Sequence, residues 1–113
     1  MEMNVSELDG GIRLIELDGR LDMKNSLEID VRFTALTATG SGSVLVDMSK
    51  VEFIASIGMR LLLSNAKALA NRGGRMALCG TQALVREALE TAGLDTLIPL
   101  HPDLASARAA WSA

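Results

Sequence analysis

The sequence predicts an α/β fold: a single domain of 113 residues whose central, mostly parallel sheet of about five strands is covered by about four helices. Three observations carry that prediction. Short runs rich in β-branched and aliphatic residues, VLVDM (44–48) and RMALC (75–79), have the composition of strands buried on both faces. Between such runs lie longer stretches whose apolar residues recur at helical spacing. Glycines and capping residues stand at the junctions, and no internal repeat, linker or low-complexity tract divides the chain.

Each element follows from its own residues. MNVSEL, the turn Asp9-Gly10-Gly11 and IRLIEL read as a hairpin with strands at 3–8 and 12–17, because Asp-Gly supplies the positive φ of a tight turn. After DGRLD comes a helix at 25–38. Leu27 and Val31 pair at i, i+4, and Ile29, Phe33 and Leu36 recur at i, i+4, i+7, which together predict one apolar face. Asn25 with Glu28 three residues on has the form of a capping box, and TGSGS (39–43) breaks the helix. The strand 44–48 follows, with Asp47 near its end placed to cap the turn DMSK.

Helical spacing returns at 57–71, with Leu62, Ala66 and Leu69 on one side and Gly73-Gly74 as the stop. Ser56, just before that run, stands where an N-cap belongs. A strand at 75–79 leads to Thr81, a candidate cap for a helix at 82–92 that Gly93 ends. LDTLIPL supplies an edge strand at 96–99, interrupted by Pro99. A last helix at 103–111 sets Leu104, Ala107 and Trp111 on one face. The predicted core contains Ile29, Phe33, Val44, Val46, Leu62, Leu69, Met76, Leu78 and Leu89.

Composition then removes several classes of function. With 49% hydrophobic residues but no Tyr, one Trp and two Phe, the core must be aliphatic, and the chain lacks stacking platforms for single-stranded nucleic acid. A net charge of −3 gives no basic field for polyphosphate or anionic lipid, so nucleic acid is not an expected partner. The single Cys79 cannot close an internal disulfide, and MEMNVSELDG lacks the charged and apolar regions of a signal peptide. No apolar segment approaches the ~18 residues of a membrane span. These features predict a cytoplasmic protein without membrane insertion.

Catalytic chemistry finds few residues to work with. His101, the only histidine, precedes Pro102 and reads as an exposed turn residue. Activating Ser56 or Cys79 as a nucleophile would require that histidine beside it, which nothing in the sequence predicts. Cys79, within MALCG, reads as a small buried hydrophobe. Zinc sites need Cys and His clusters that are not here, and GSG (40–42) and RGGR (72–75) lack the spacing of phosphate-binding loops. Asp47 could be the phosphoacceptor of a receiver domain, but the late lysine of such domains is missing, the last lysine being Lys67. The expectation is no metal, no cofactor and no enzyme activity.

The residues around Ser56 point elsewhere. LDGRLD (17–22) resembles the Gly-x-Leu-Asp segment of the STAS domain, the family of anti-sigma factor antagonists. VDMSKVEFIASIG (46–58) is similar to that family's central strand, its Asp or Asn, its aromatic residue and its Asp-Ser-Ser/Thr-Gly motif. RGGRMALCG (72–80) and ETAGLDTLIPL (90–100) resemble later family segments in order and spacing, so the resemblance spans almost the whole chain. The fold it implies, a small α/β sandwich, agrees with the element order β-β-α-β-α-β-α-β-α.

What the resemblance implies is a phosphorylation switch. Ser56 falls on the family's phosphoacceptor, followed by Gly58; Asp22 falls on the acidic residue beside it, and Asp47 on the polar position ending the central strand. The implied partner is a protein that is both serine kinase and anti-sigma factor. It binds the unphosphorylated antagonist and releases a sigma factor, and a phosphatase would reset Ser56. Ala55, Ile57, Gly58 and Met59 complete the implied contact surface with Asp22 and Asp47. Two positions depart from the motif: Ala55 stands where the family has Asp, and Ile57 where it has Ser or Thr. Both departures favour an alternative, a non-phosphorylated STAS scaffold or subunit of a transport or signalling complex.

Overall fold

The computed structural model describes residues 1–112. In chain order the elements are β1 (Glu2–Leu8), β2 (Ile12–Leu21), α1 (Met23–Ala38), β3 (Ser43–Ile54), α2 (Ser56–Asn71), β4 (Arg75–Cys79), α3 (Ala83–Thr91), β5 (Leu100–His101) and α4 (Leu104–Trp111), with a 3-10 turn at Leu94–Thr96. The five strands lie in the order β1-β2-β3-β4-β5, the first pair antiparallel and the rest parallel. The predicted hairpin forms, with Gly10 at φ 83 and Gly11 at φ 74 making the turn.

Because strand order never reverses after β2, crossovers of one hand carry α1, α2 and α3 to the same face of the sheet. The packing bears this out. Ile29 and Phe33 of α1, Leu62 and Leu69 of α2 and Val85 and Leu89 of α3 share one core with Val44, Val46 and Leu78. On the other face α4 covers Ile12, Leu14, Leu45, Ala77 and Cys79 through Leu104, Ala107 and Trp111. β3 and β4 are therefore buried on both sides, as their unbroken apolar runs required. All nine predicted core residues are buried. A sheet without a reversal also has no switch-point crevice of the kind in which open α/β sheets hold ligands. The helical face is consequently a surface of ridges and grooves.

Several boundaries differ from the sequence reading, each for a local reason. β2 does not stop at 17: it runs to Leu21, with register shifts between Glu16 and Asp18 and between Gly19 and Arg20, because β3 is long enough to pair it as far as Leu21↔Ile54. Asp47 thus lies inside β3 and does not end it. Its capping role holds, since its Oδ1 accepts from the Ser49 N–H at 2.9 Å. Asn25 and Glu28 do not form a capping box. Asp22 is the N-cap of α1 and its Oδ1 accepts from the Asn25 N–H at 2.9 Å, while Asn25 Nδ2 donates to the Arg20 carbonyl at 2.8 Å. The cap of α3 is Gln82, without a side-chain hydrogen bond, and not Thr81.

On α1 the predicted apolar face splits. Ile29 and Phe33 are buried, but Leu27 and Val31 are 59% and 83% exposed. Two residues along a helix turn the side chain by roughly 200°, so these two sets belong to opposite sides. The predicted strand at 96–99 is absent too. After Gly93 (φ 79) the chain turns with helical spacing, Ile98 N donating to the Leu94 carbonyl at 2.8 Å, and both side chains enter the core. The edge strand is the shorter pair Leu100–His101.

One buried polar contact fixes α1 against α2. Thr37 Oγ1 donates to Asn65 Oδ1 at 2.8 Å, and Asn65 Nδ2 donates to the Leu61 carbonyl at 2.9 Å. Both residues are buried, so each polar atom left unpaired there would cost about 1–3 kcal/mol. The pair therefore selects one register between the helices.

Candidate functional site

The site is built where β3 hands over to α2. Ile54 is the last strand residue, buried and paired with Leu21. The Ala55 N–H donates to the Leu21 carbonyl at 2.9 Å, and the Ala55 carbonyl accepts from the Met59 N–H at 3.1 Å. Ala55 has the extended backbone of an N-cap, φ −93 and ψ 169, but no side chain capable of capping. Ser56 is consequently the first residue of the helix and not its cap, which corrects the sequence reading. It is exposed, and among the described residues no side chain takes the free N–H groups of the first turn of α2. Such an end favours an anion, through both its unpaired donors and its dipole.

Gly58 explains why this end of α2 sits so low on the sheet. It is buried, and a Cβ there would stand 3.0 Å from both Leu21 Cβ and the Leu21 carbonyl oxygen and 3.1 Å from Ile54 Cγ1. The structure thus gives Gly58 a packing role beneath the site. Asp22, half-buried, follows directly on the residue that anchors Ala55, but its carboxylate is engaged as the α1 cap.

Asp47 is elsewhere. It pairs in register with Glu16 on one side and Cys79 on the other, and roughly 23 Å of strand, at about 3.3 Å per residue, separates it from Ile54.

Ile57 and Met59, both half-buried, face different grooves. Ile57 helps line one between α1 and α2, about 390 Å³, together with Leu27, Asp30 and Arg60. Ser56 and Met59 line the other, about 460 Å³, between α2 and α3, opposite Leu84, Glu87 and Ala88. Leu84 is 75% exposed. Sequence reasoning passed over Leu84 and Glu87. Their only signal was an apolar residue off the buried face defined by Val85 and Leu89. It also passed over Arg20, whose guanidinium lies 4.3 Å from the centre of the Phe53 ring on the strand leading to the site.

The nucleophile question has a more particular answer than the sequence offered. Cys79 and His101 are cross-strand partners in β4 and β5, so the lone histidine does stand beside the cysteine, half-buried and not in an exposed turn. The thiol is not activated by it. Burial, followed by the charges of Asp47, Asp103 and Glu16, pushes the Cys79 thiol up to about 11, so it stays protonated at neutral pH. Ser56 lies on another part of the molecule, away from this pair.

Comparison with known proteins agrees with this architecture. The profile of the STAS domain matches residues 5–107. BtrV of Bordetella bronchiseptica, a proposed anti-sigma factor antagonist, is 27% identical over 111 residues, covering 98% of this chain and 95% of that protein. The crystal structure of an anti-sigma factor antagonist from Mycobacterium paratuberculosis superposes with a TM-score of 0.87 at 26% identity, covering 96% of this chain and 92% of that one. The fold is also that of the anti-sigma factor antagonist SpoIIAA in its unphosphorylated form, with a TM-score of 0.80 at 18% identity over 99% of this chain and 98% of that one. No helix among the described residues is long and apolar enough to cross a membrane. The chain belongs to the STAS domain family.

Proposed function

We propose that this protein is a cytoplasmic anti-sigma factor antagonist, a binding domain and not an enzyme, switched by phosphorylation of Ser56. Its partner is a protein that acts both as serine kinase and as anti-sigma factor. The observation that carries the reading is an exposed serine at the first position of an uncapped helix, set among half-buried apolar side chains. The names of the relatives support it, and SpoIIAA has been described in both unphosphorylated and phosphorylated forms.

The chemistry is a phosphoryl transfer. The kinase moves the γ-phosphoryl of ATP to Ser56 Oγ, the hydroxyl proton leaves to a base on the kinase, and ADP departs. The product adds about −1.5 to −2 charges at neutral pH. The free N–H groups of α2 can accept that charge without loss of the fold. A partner surface packed over a neutral serine cannot, since it would meet a bulky, strongly hydrated group. The unphosphorylated form therefore binds and the phosphorylated form is released, and a phosphatase restores the first state. Asp22 and Gly58 act on the site from below, by fixing α1 and seating α2, and Met59 belongs to the contact surface.

A second reading has its own observation. Ala55 and Ile57 remove two polar groups from the motif, as a scaffold that is never phosphorylated would permit. The test separates the two. The partner captured from the native cell is identified and purified, then incubated with the antagonist and ATP, with the phosphorylated residue mapped by mass spectrometry. Titrations of Ser56→Ala and Ser56→Asp accompany it. The switch requires phosphate on Ser56, with tight binding by Ser56→Ala and weak binding by Ser56→Asp. Equal affinities for the two variants would leave the scaffold.

A further inference from the structure

The N–H groups at the start of α2 are not all that a phosphate on Ser56 would meet. Ser56 opens the helix, and Arg60 stands one turn further on, at i+4. Four residues advance a helix by about 400°, so Arg60 lies only about 40° round from Ser56. Helical side chains also lean back toward the N-terminus, which brings the turn that begins at Ser56 within reach of the guanidinium.

Arg60 is also uncommitted. Arg13, Arg32 and Arg72 donate to backbone carbonyls, and Arg20 and Arg75 lie over the rings of Phe53 and Trp111. The exposed Arg60 guanidinium makes no hydrogen bond or ion pair among the described residues. It lines the groove between α1 and α2 with Asp30, but the two form no ion pair. The Asp30 carboxylate accepts instead from Thr34 Oγ1 at 3.1 Å.

We infer that Arg60 is the positioning residue for a phosphate on Ser56, its guanidinium turning from the α1 groove to pair with the phosphate oxygens. The inference rests on the phosphoswitch reading of Ser56 and deepens it by naming the side chain that holds the modified state. The nearest alternatives are poor. Ala55 and Ile57 carry no polar side-chain atom, and the described residues of α3 that line the groove beside Ser56 include Glu87 but no cation. A guanidinium can give two parallel N–H donors to one phosphate. An anion four residues before a cation is also the favourable order along a helix. The unmodified serine offers Arg60 no charge, so the pair exists only in the phosphorylated protein.

The experiment uses the full-length chain with phosphoserine installed at position 56 by genetic encoding, so no kinase is needed. Phosphorus NMR follows the second ionisation of the phosphate with Arg60 in place and in Arg60→Gln, Arg60→Lys and Lys67→Gln. Melting curves of the unmodified variants check that each is folded. A guanidinium beside the phosphate favours the dianion and lowers this pKa. Arg60→Gln should therefore raise it by about 0.3 or more at low salt. Arg60→Lys keeps the charge without the fork and should recover part of the difference. Lys67→Gln removes the same charge about 16 Å further along α2 and should leave the pKa unchanged. Glu87 opposes the dianion in all four proteins, so it drops out of the comparison.

An unchanged pKa in Arg60→Gln would overturn the inference. So would an equal rise in Lys67→Gln, which would make the effect one of net charge. The switch is tested apart from this. If the captured kinase puts no phosphate on Ser56 of the unmodified protein, the phosphoswitch reading fails, while the pKa comparison still decides what Arg60 does.

Discussion

α1 and α2 are each 16 residues long, lie side by side, and start from strands that end in register at Leu21 and Ile54. Their first turns are nonetheless finished differently. α1 begins with Asp22, whose carboxylate accepts from the Asn25 N–H at 2.9 Å. α2 begins with Ala55, whose methyl group accepts nothing. One helix has spent its anion-binding capacity on its own cap, and the other has kept it. The departure at Ala55 thus acquires a physical meaning. An aspartate at this position would cap α2 much as Asp22 caps α1, and Ala55 leaves those donors free for the phosphate proposed on the next residue.

The largest test of this contrast concerns how α2 is seated. Gly58→Val would drive a branched side chain into the Leu21 backbone and Ile54, neither of which is the free end of a flexible group. Overpacking of this kind costs about 3 kcal/mol, read as a fall in the urea midpoint, and the lifting of α2 should weaken partner binding with it. An unchanged midpoint would mean that the start of α2 is not held down by Leu21, and the geometry drawn for Ser56 would go with it.

Next in size is Asp22→Ala. Removing the cap of α1 should cost about 1 kcal/mol, which for a domain of this length lowers the melting temperature by about 4 °C. Ala55→Asp is the complementary change. The backbone at 55 already has cap geometry, so the new carboxylate should stabilise the protein by about 0.5–1 kcal/mol and raise the melting temperature by a few degrees. If Ala55→Asp were neutral or destabilising, the donors of α2 would not be free, and the contrast with α1 would collapse.

These local facts also mark what was legible in the sequence. Strands buried on both faces announce themselves by composition, and helices by periodicity, so β4, the apolar first half of β3 and the buried face of α2 could be read directly, whereas β3 runs on to Ile54, well past the expected end at 48. What escaped reading depends on partners remote in the chain. β2 is long because β3 is, and Leu27 and Val31 could be placed on the core side until the buried face had been fixed by Ile29 and Phe33. Leu94 and Ile98 alternate badly for a strand because they follow a helical turn.

At the candidate site, Ser56 could be singled out because its motif is contiguous. Leu84 and Glu87 were not, since they reach the same groove from a helix that on its own looks like ordinary surface. Its role as a cap was misread for a simpler reason. A serine before an apolar run is an N-cap by preference, but the preference cannot tell position 55 from position 56.

That one-residue difference supplies the smallest and most discriminating prediction. A capping serine replaced by alanine costs about 1 kcal/mol, whereas an exposed helical serine that caps nothing costs less than about 0.5 kcal/mol. Ser56 belongs to the second kind, being within the first turn and preceded by the cap residue Ala55. Ser56→Ala should therefore melt within about 2 °C of wild type, well above Asp22→Ala measured under the same conditions. Ser56→Asp should match or slightly exceed wild type, because an acidic side chain at an uncapped N-terminus gains about 0.3–1 kcal/mol from the helix dipole, and that gain should shrink as salt is added. The three melting curves form an order: Ser56→Asp at or above wild type, Ser56→Ala close to it, Asp22→Ala lowest. A fall for Ser56→Ala as large as that for Asp22→Ala would make Ser56 a cap after all. Its hydroxyl would then be tied to the helix backbone, and a kinase would have to break that bond before reaching it.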